Sequence, residues 1–200
     1  ATPQDTQILN YEEGKMAEAK KITAPLSKEV AKSLKAGESV LISGTILAAR
    51  DAAHKTLTEA LARGEKLPVD LQGETIYYLG PTPAKPGNAI GSAGPTTSGR
   101  MDKYTPTIIE QGIHGMIGKG YRNKEVIDSM VAHGVVYMVA VGGAAALISK
   151  CITKYEVLAY PELGPEAVAR LTIENFPAIV AIDAEGNNYY EVGQAPYKKI

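Results

Sequence analysis

The segment that most constrains this chain is the unbroken apolar run Val135 to Val141, set between Gly134 and the pair Gly142-Gly143. Such a run, rich in β-branched residues and bounded by glycines, reads as a strand buried on both faces. A strand of that kind needs covering layers above and below. The rest of the chain supplies them by alternating strand-like with helix-like segments, which predicts an α/β class with some mixed sheet.

Weak strand character covers Lys21–Leu26, and Ser27 can cap a short helix running to Lys35 with Val30, Ala31 and Leu34 on one face. Glu38–Ser43 reads as a strand closed by Gly44. Ala49–Arg63 has Ala53, Leu57, Ala60 and Leu61 at helical spacing and stops at Gly64. Thr75–Leu79 is a strand. Thr105 as cap and Pro106 at the first helical position start a helix that ends at Gly112. Met116-Ile117 is a short strand, and Asn123–His133 a helix with Val126, Ile127, Met130 and Val131 inward. A small-residue helix follows Gly142-Gly143. Strands over Tyr155–Leu158 and Ala178–Asp183 flank a helix near Glu166–Leu171, and Asn188–Val192 closes a terminal hairpin. Residues 1–20 form a polar lead-in and 21–200 a single domain. No repeat forces a further boundary.

Composition removes several function classes. With 21 basic and 22 acidic residues the net charge is −1, without the basic excess of a nucleic-acid binder. No stretch approaches the roughly 18 consecutive apolar residues of a membrane span, and the polar N-terminus lacks a signal-peptide core, so the expected location is cytoplasmic. A single cysteine, Cys151, cannot build a disulfide framework, a Cys/His zinc site or a self-contained iron–sulfur cluster. It has no neighbouring acid–base partner and reads as a small apolar residue. Nucleotide motifs fail as well. A P-loop ending at Gly118-Lys119 would need glycine where Ile113 stands and Ser or Thr where Gly120 stands. There is neither a G-x-G-x-x-G after a strand nor an H-E-x-x-H.

Three glycine-bounded segments carry the chemistry. They are Gly44 to His54, Gly91 to Asp102, and Gly115 to Gly120. The second lies in a glycine- and proline-dense loop, Gly80–Arg100, which at about 20 residues is too long for a passive connection. Of five arginines, Arg50 and Arg100 both sit at loop-to-helix junctions in these segments. Arginine recognises carboxylate or phosphate through two parallel hydrogen bonds. Lys119, between Gly118 and Gly120, adds a point charge on a turn whose amides can approach an anion. Thr96 and Thr97 add hydroxyls. Together these groups suit a small dicarboxylate. Plainer readings stand beside this one. Arg50 can pair with Asp51 or a helix charge, Gly115–Gly120 can be an ordinary turn with Lys119 solvated, and His54 can be a structural hydrogen-bonding residue. His114 and His133 read as turn and surface residues.

The segments Gly44-Thr45 with Arg50-Asp51-Ala52-Ala53-His54, Gly91-Ser92-Ala93-Gly94-Pro95-Thr96-Thr97 with Arg100-Met101-Asp102, and Met116-Ile117-Gly118-Lys119-Gly120 resemble the class I, iron–sulfur-dependent fumarase and tartrate dehydratase family. The resemblance is to its beta subunit, the C-terminal domain of the single-chain enzymes. It covers roughly Lys21 to Gly186, with weaker agreement at Val136-Tyr137, Gly142-Gly143-Ala144-Ala145 and Phe176-Pro177-Ala178. It implies a swivelling β/β/α domain, three layers with a parallel and an antiparallel sheet. It also implies reversible hydration of a small unsaturated dicarboxylate, with fumarate to (S)-malate first and tartrate or mesaconate-type dehydration as alternatives. By the same resemblance Arg50, Arg100 and Lys119 clamp carboxylate oxygens, Thr97 hydrogen-bonds the substrate, and Thr96 is the candidate base, helped by an aspartate of the alpha part. Asp51, His54, Gly118 and Gly120 would support them. The [4Fe–4S] cluster would sit on three cysteines of a partner alpha subunit, in an α2β2 assembly, with no metal on this chain. The alternative of another class is a stand-alone module that binds small anions or regulates a partner.

Overall fold

The computed structural model describes residues 19–140 and 145–194. Most of the polar lead-in, and the Gly142-Gly143 break, lie outside the described residues. In chain order the elements are β1 (Lys20–Ala24), α1 (Lys28–Ser33), β2 (Ser39–Ala48), α2 (Asp51–Ala62), β3 (Thr75–Tyr77), α3 (Thr105–Ile109), β4 (Gly115–Gly118), α4 (Lys124–His133), β5 (Val136–Ala140), α5 (Ala145–Lys150), β6 (Ile152–Ala159), β7 (Val168–Ile182) and α6 (Tyr189–Gln194). Short 3₁₀ turns cover Ser98–Met101 and Pro161–Glu166. None of the described helices is long and apolar enough to cross a membrane.

The seven strands among the described residues join one mixed sheet. β2, β3, β4 and β5 run parallel, and β7 lies antiparallel to both β5 and β2. The pairings therefore return to β2 and close a ring of strands. β1 adds to the first half of β2, and β6 to the first half of β7. Side chains alternate between two cores, as a period of two requires. Ile46, Tyr77, Ile117 and Met138 face one core, which also takes Ile90 and Ala93 of the long loop. Leu47, Ile76, Met116 and Tyr137 face the other, against Leu57 of α2, Ile108 of α3 and Met130 of α4.

Several elements depart from the sequence expectation. Gly44 does not close its strand. It sits at a register shift between β2 and β7 with φ of 120°, and a side chain there would run into the Ala24 carbonyl. Glycine lets the strand bulge and continue to Ala48. Opposite it, Asn175 (φ 48°) donates its backbone N–H to Ser43 Oγ at 3.0 Å. The helix expected near Glu166–Leu171 is instead the start of β7, because Val168, Leu171 and Ile173 are buried in the two cores. The terminal hairpin reduces to one bridge, Ile182 with Asn188, followed by helix α6. Thr105 is not the cap of α3; its hydroxyl turns back to the Met101 carbonyl at 2.8 Å. Val131 is 47% exposed and lies off the buried face of α4.

Candidate functional site

Three loops leave the sheet side by side at the carboxyl ends of β2, β3 and β4. Backbone bonds stitch them together. Ala49 N–H donates to the Tyr77 carbonyl at 3.1 Å, Tyr78 N–H to Ile117 at 2.9 Å, and Thr96 N–H to Tyr78 at 2.7 Å. Thr97 then pairs with Lys119 as an isolated parallel bridge, and Ser98 N–H donates to the Lys119 carbonyl at 2.9 Å. The backbones that bear Arg50, Thr96, Thr97 and Lys119 thus meet at one end of the ring, the carboxyl end of its parallel strands. The long loop is ordered by its own contacts. Tyr77 Oη donates to the Ala93 carbonyl at 2.6 Å, and Ser92 N–H to Thr82 Oγ1 at 2.7 Å. Ile90 is buried within it, whereas Ala89 is exposed.

Asp51 joins the two arginines. Its Oδ2 accepts Arg50 Nε at 3.2 Å, and its Oδ1 lies 3.0 Å from Arg100 Nε. Glu166 arrives from the turn before β7. Its Oε1 accepts Ala52 N–H at 3.1 Å and lies 3.3 Å from Arg50 Nε. The plain reading of Arg50, pairing with Asp51, therefore holds, but it is incomplete. Both guanidiniums are held by Nε, and among the described residues no hydrogen bond engages their terminal nitrogens. Those are the nitrogens that form a fork on a carboxylate. Gly80 belongs to the same arrangement, since a side chain there would collide with Arg50 Cδ and Nη1. The Arg50 side chain is 25% exposed and that of Arg100 55%. The Asp51 and Glu166 carboxylates meet these two guanidiniums, while Lys119, whose backbone is bridged to Thr97, is exposed.

Of the supporting residues, His54 is 1% exposed and serves the backbone. Its Nδ1 lies 2.9 Å from the Arg50 carbonyl, and its ring meets Tyr78 edge-on at 5.4 Å. Burial lowers its pKa to about 4, so it is neutral near pH 7 and Nδ1–H donates to that carbonyl. The structural reading of His54 is the one its surroundings fit. Gly118 lacks a side chain because Ser98 Oγ occupies that space. Gly120 has φ of 85°, in the region that favours glycine. His114 and His133 bond backbone carbonyls through Nδ1, as ordinary structural histidines do.

Sequence reading passed over Arg122. Its side chain is fully buried and pairs with Asp102 Oδ1 at 2.7 Å. It also donates to Tyr78 Oη at 3.0 Å and Thr105 Oγ1 at 2.8 Å. Asp102 Oδ2 accepts Asn123 N–H at 2.9 Å, which ties the loop after Arg100 to the start of α4. Asp102 closes the second glycine-bounded segment, and a buried aspartate needs a cation. That need was the available signal for Arg122.

The donors of this chain do not fit an iron–sulfur cluster. The sequence holds one cysteine, and among the described residues no three His, Cys, Asp or Glu side chains gather to hold a metal. Cys151 lies partly buried near the Leu147 and Asn175 carbonyls, with its thiol pKa raised by burial.

Comparison with known proteins identifies the family. Residues 1–193 match the family model described as Fumarase C-terminus. Fumarate hydratase 2 of Leishmania major is 42% identical over 77% of this chain and 28% of its own length. The aerobic class I fumarate hydratase of Escherichia coli K12 is 41% identical over 75% of this chain and 28% of its length. The putative L(+)-tartrate dehydratase subunit beta of Methanocaldococcus jannaschii is 41% identical over 88% of this chain and 93% of its own. The chain thus spans little more than a quarter of the fumarate hydratases and nearly all of the tartrate dehydratase subunit. With the family model matched along almost its whole length, this chain belongs to the fumarase C-terminus family.

Proposed function

We propose that this chain is the dicarboxylate-holding half of a hydro-lyase, acting on fumarate and (S)-malate together with a cluster-bearing partner. The observation that carries the reading is the shared grip of Asp51 on Arg50 and Arg100, which holds both guanidiniums by Nε and leaves their terminal nitrogens for an anion. In the dehydrating direction the substrate's carboxylates lie on Arg50, Arg100 and Lys119, with Thr97 hydrogen-bonding alongside. Thr96 removes the proton from the carbon next to the carbinol. The electron pair of that C–H bond forms the double bond as hydroxide leaves the neighbouring carbon. Charge building on the adjacent carboxylate during proton loss is met by cations already in place. A threonine hydroxyl is too weak a base unaided and must pass its own proton to a carboxylate. In this reading that carboxylate, and the cluster, belong to the partner.

The near full-length match to a tartrate dehydratase subunit beta supports a two-subunit arrangement and makes tartrate the second candidate substrate. The swivelling β/β/α type is supported by parallel β1–β5, the antiparallel β2–β7–β6 pairings and the helices α2 to α4.

The test is anaerobic co-expression with a partner bearing three cluster-ligating cysteines, followed by loss or gain of fumarate absorbance. Turnover of fumarate should exceed that of tartrate and mesaconate, and the chain alone should be colourless and inactive. A complex with an intact cluster that turns over no dicarboxylate would leave the anion-binding module as the better account.

A further inference from the structure

Two buried hydroxyls lie directly beneath the site, Ser98 and Tyr137, and both are fully shielded from solvent. Lys119 N–H donates to Ser98 Oγ at 3.0 Å. Tyr137 Oη lies 2.8 Å from Ser98 Oγ and 2.8 Å from the Gly120 carbonyl. Counting protons fixes the direction of this chain. A carbonyl can only accept, so the single phenolic proton of Tyr137 goes to Gly120, and the Ser98 proton goes to Tyr137 Oη. Burial holds the Tyr137 phenol above the usual tyrosine range, so that proton stays in place. The Arg122 guanidinium packs over the Tyr137 ring at 4.9 Å and over Tyr78 at 5.2 Å, which fixes where the phenol points.

Lys119 is consequently tethered on both sides. Its N–H meets Ser98 Oγ, its carbonyl meets Ser98 N–H, and the next carbonyl meets Tyr137. The relay needs room at Gly118, where any side chain would strike Ser98 Oγ. An exposed lysine on a flexible stem thereby starts from a fixed backbone, one bridge away from Thr97.

We propose that Ser98 and Tyr137 are positioning residues, a two-hydroxyl relay that sets the register between the Thr96-Thr97 segment and Lys119 and so sets how the dicarboxylate is held. This rests on the dicarboxylate reading of the site.

The test is a double-mutant cycle in the assembled enzyme. Tyr137→Phe should lower kcat/KM roughly tenfold, with the change mainly in KM, and Ser98→Ala should do the same. In a Lys119→Ala background Tyr137→Phe should cost less than about twofold, because the side chain it positions is gone. A loss of folded protein would instead lower kcat and leave KM unchanged. Should Tyr137→Phe not assemble, Ser98→Ala against Lys119→Ala completes the same cycle. The relay is overturned if the loss is as large with Lys119 absent as with it present, or if both single variants match wild type. If Lys119→Ala leaves kcat/KM unchanged while Arg50→Ala and Arg100→Ala lower it, the relay is overturned and the dicarboxylate reading stands; if none of the three lowers it, the dicarboxylate reading fails.

Discussion

Asp51 carries two arginines on one carboxylate, and each of its oxygens has a separate task. The Arg50 contact is a charge-assisted hydrogen bond, of a kind that contributes about 1.5–3 kcal/mol, and the Arg100 contact is an ion pair on a half-exposed side chain, worth about 0–1 kcal/mol. Asp51→Asn offers one acceptor oxygen and no charge, so at least one guanidinium loses its anchor. We predict a fall in kcat/KM of about ten- to a hundredfold, measured in the assembled enzyme, with the unfolding midpoint little changed. His54 yields a prediction about pH. Its pKa is near 4 in the folded chain against 6.5 for the ordinary group, because burial disfavours the charged ring. Between those values only the unfolded chain binds the proton, so acid favours unfolding. His54 therefore contributes a loss of stability of about 3 kcal/mol as pH falls from 6.5 to 4. Urea unfolding of wild type and His54→Gln at pH 7 and pH 4 should show the wild-type advantage shrinking by about that amount.

The Arg122–Asp102 pair acts at the scale of elements, joining the turn at Ser98–Met101, α3 and the start of α4. Removing one member leaves a buried charge without its partner. Arg122→Met should destabilise by about 3–5 kcal/mol in chemical unfolding, and adding Asp102→Asn should recover part of it. An equal loss in single and double variants would contradict the pairing. Legibility also divides at this scale. The capped helices α1 and α4 were readable because Ser27 and Asn123 accept the N–H three residues on, a strictly local signal. β7 was not, because Val168 to Ile173 becomes strand only through pairing with β2 and β6, far away in sequence. Arg50, Thr96, Thr97 and Lys119 could be named from glycine-bounded segments. The pairing of Arg50 with Asp51 could be named as well, but the reach of Asp51 to Arg100, the contact of Glu166 with Arg50 and the relay from Ser98 to Tyr137 could not. These contacts join residues from loops and strands whose meeting depends on closure of the sheet.

At the scale of the whole molecule, closure of β2–β3–β4–β5–β7 places the glycine-bounded segments at one end. The second core, packed against α2, α3 and α4, supports that end from beneath. The backbones that bear Arg50, Thr96, Thr97 and Lys119 meet there, yet the sequence has a single cysteine, so an iron-dependent reaction would have to be completed by thiolates from elsewhere. The proposed function depends on the two guanidinium forks holding substrate. The most direct measurement is kcat/KM for fumarate hydration by the assembled enzyme, compared between wild type, Arg50→Ala and Arg100→Ala. Each variant should lose about 2–5 kcal/mol of transition-state binding, a fall of at least thirtyfold, as for a desolvated charge pair cut on one side. A value within twofold of wild type in either variant, with the complex intact, would remove that arginine from the site and contradict the account.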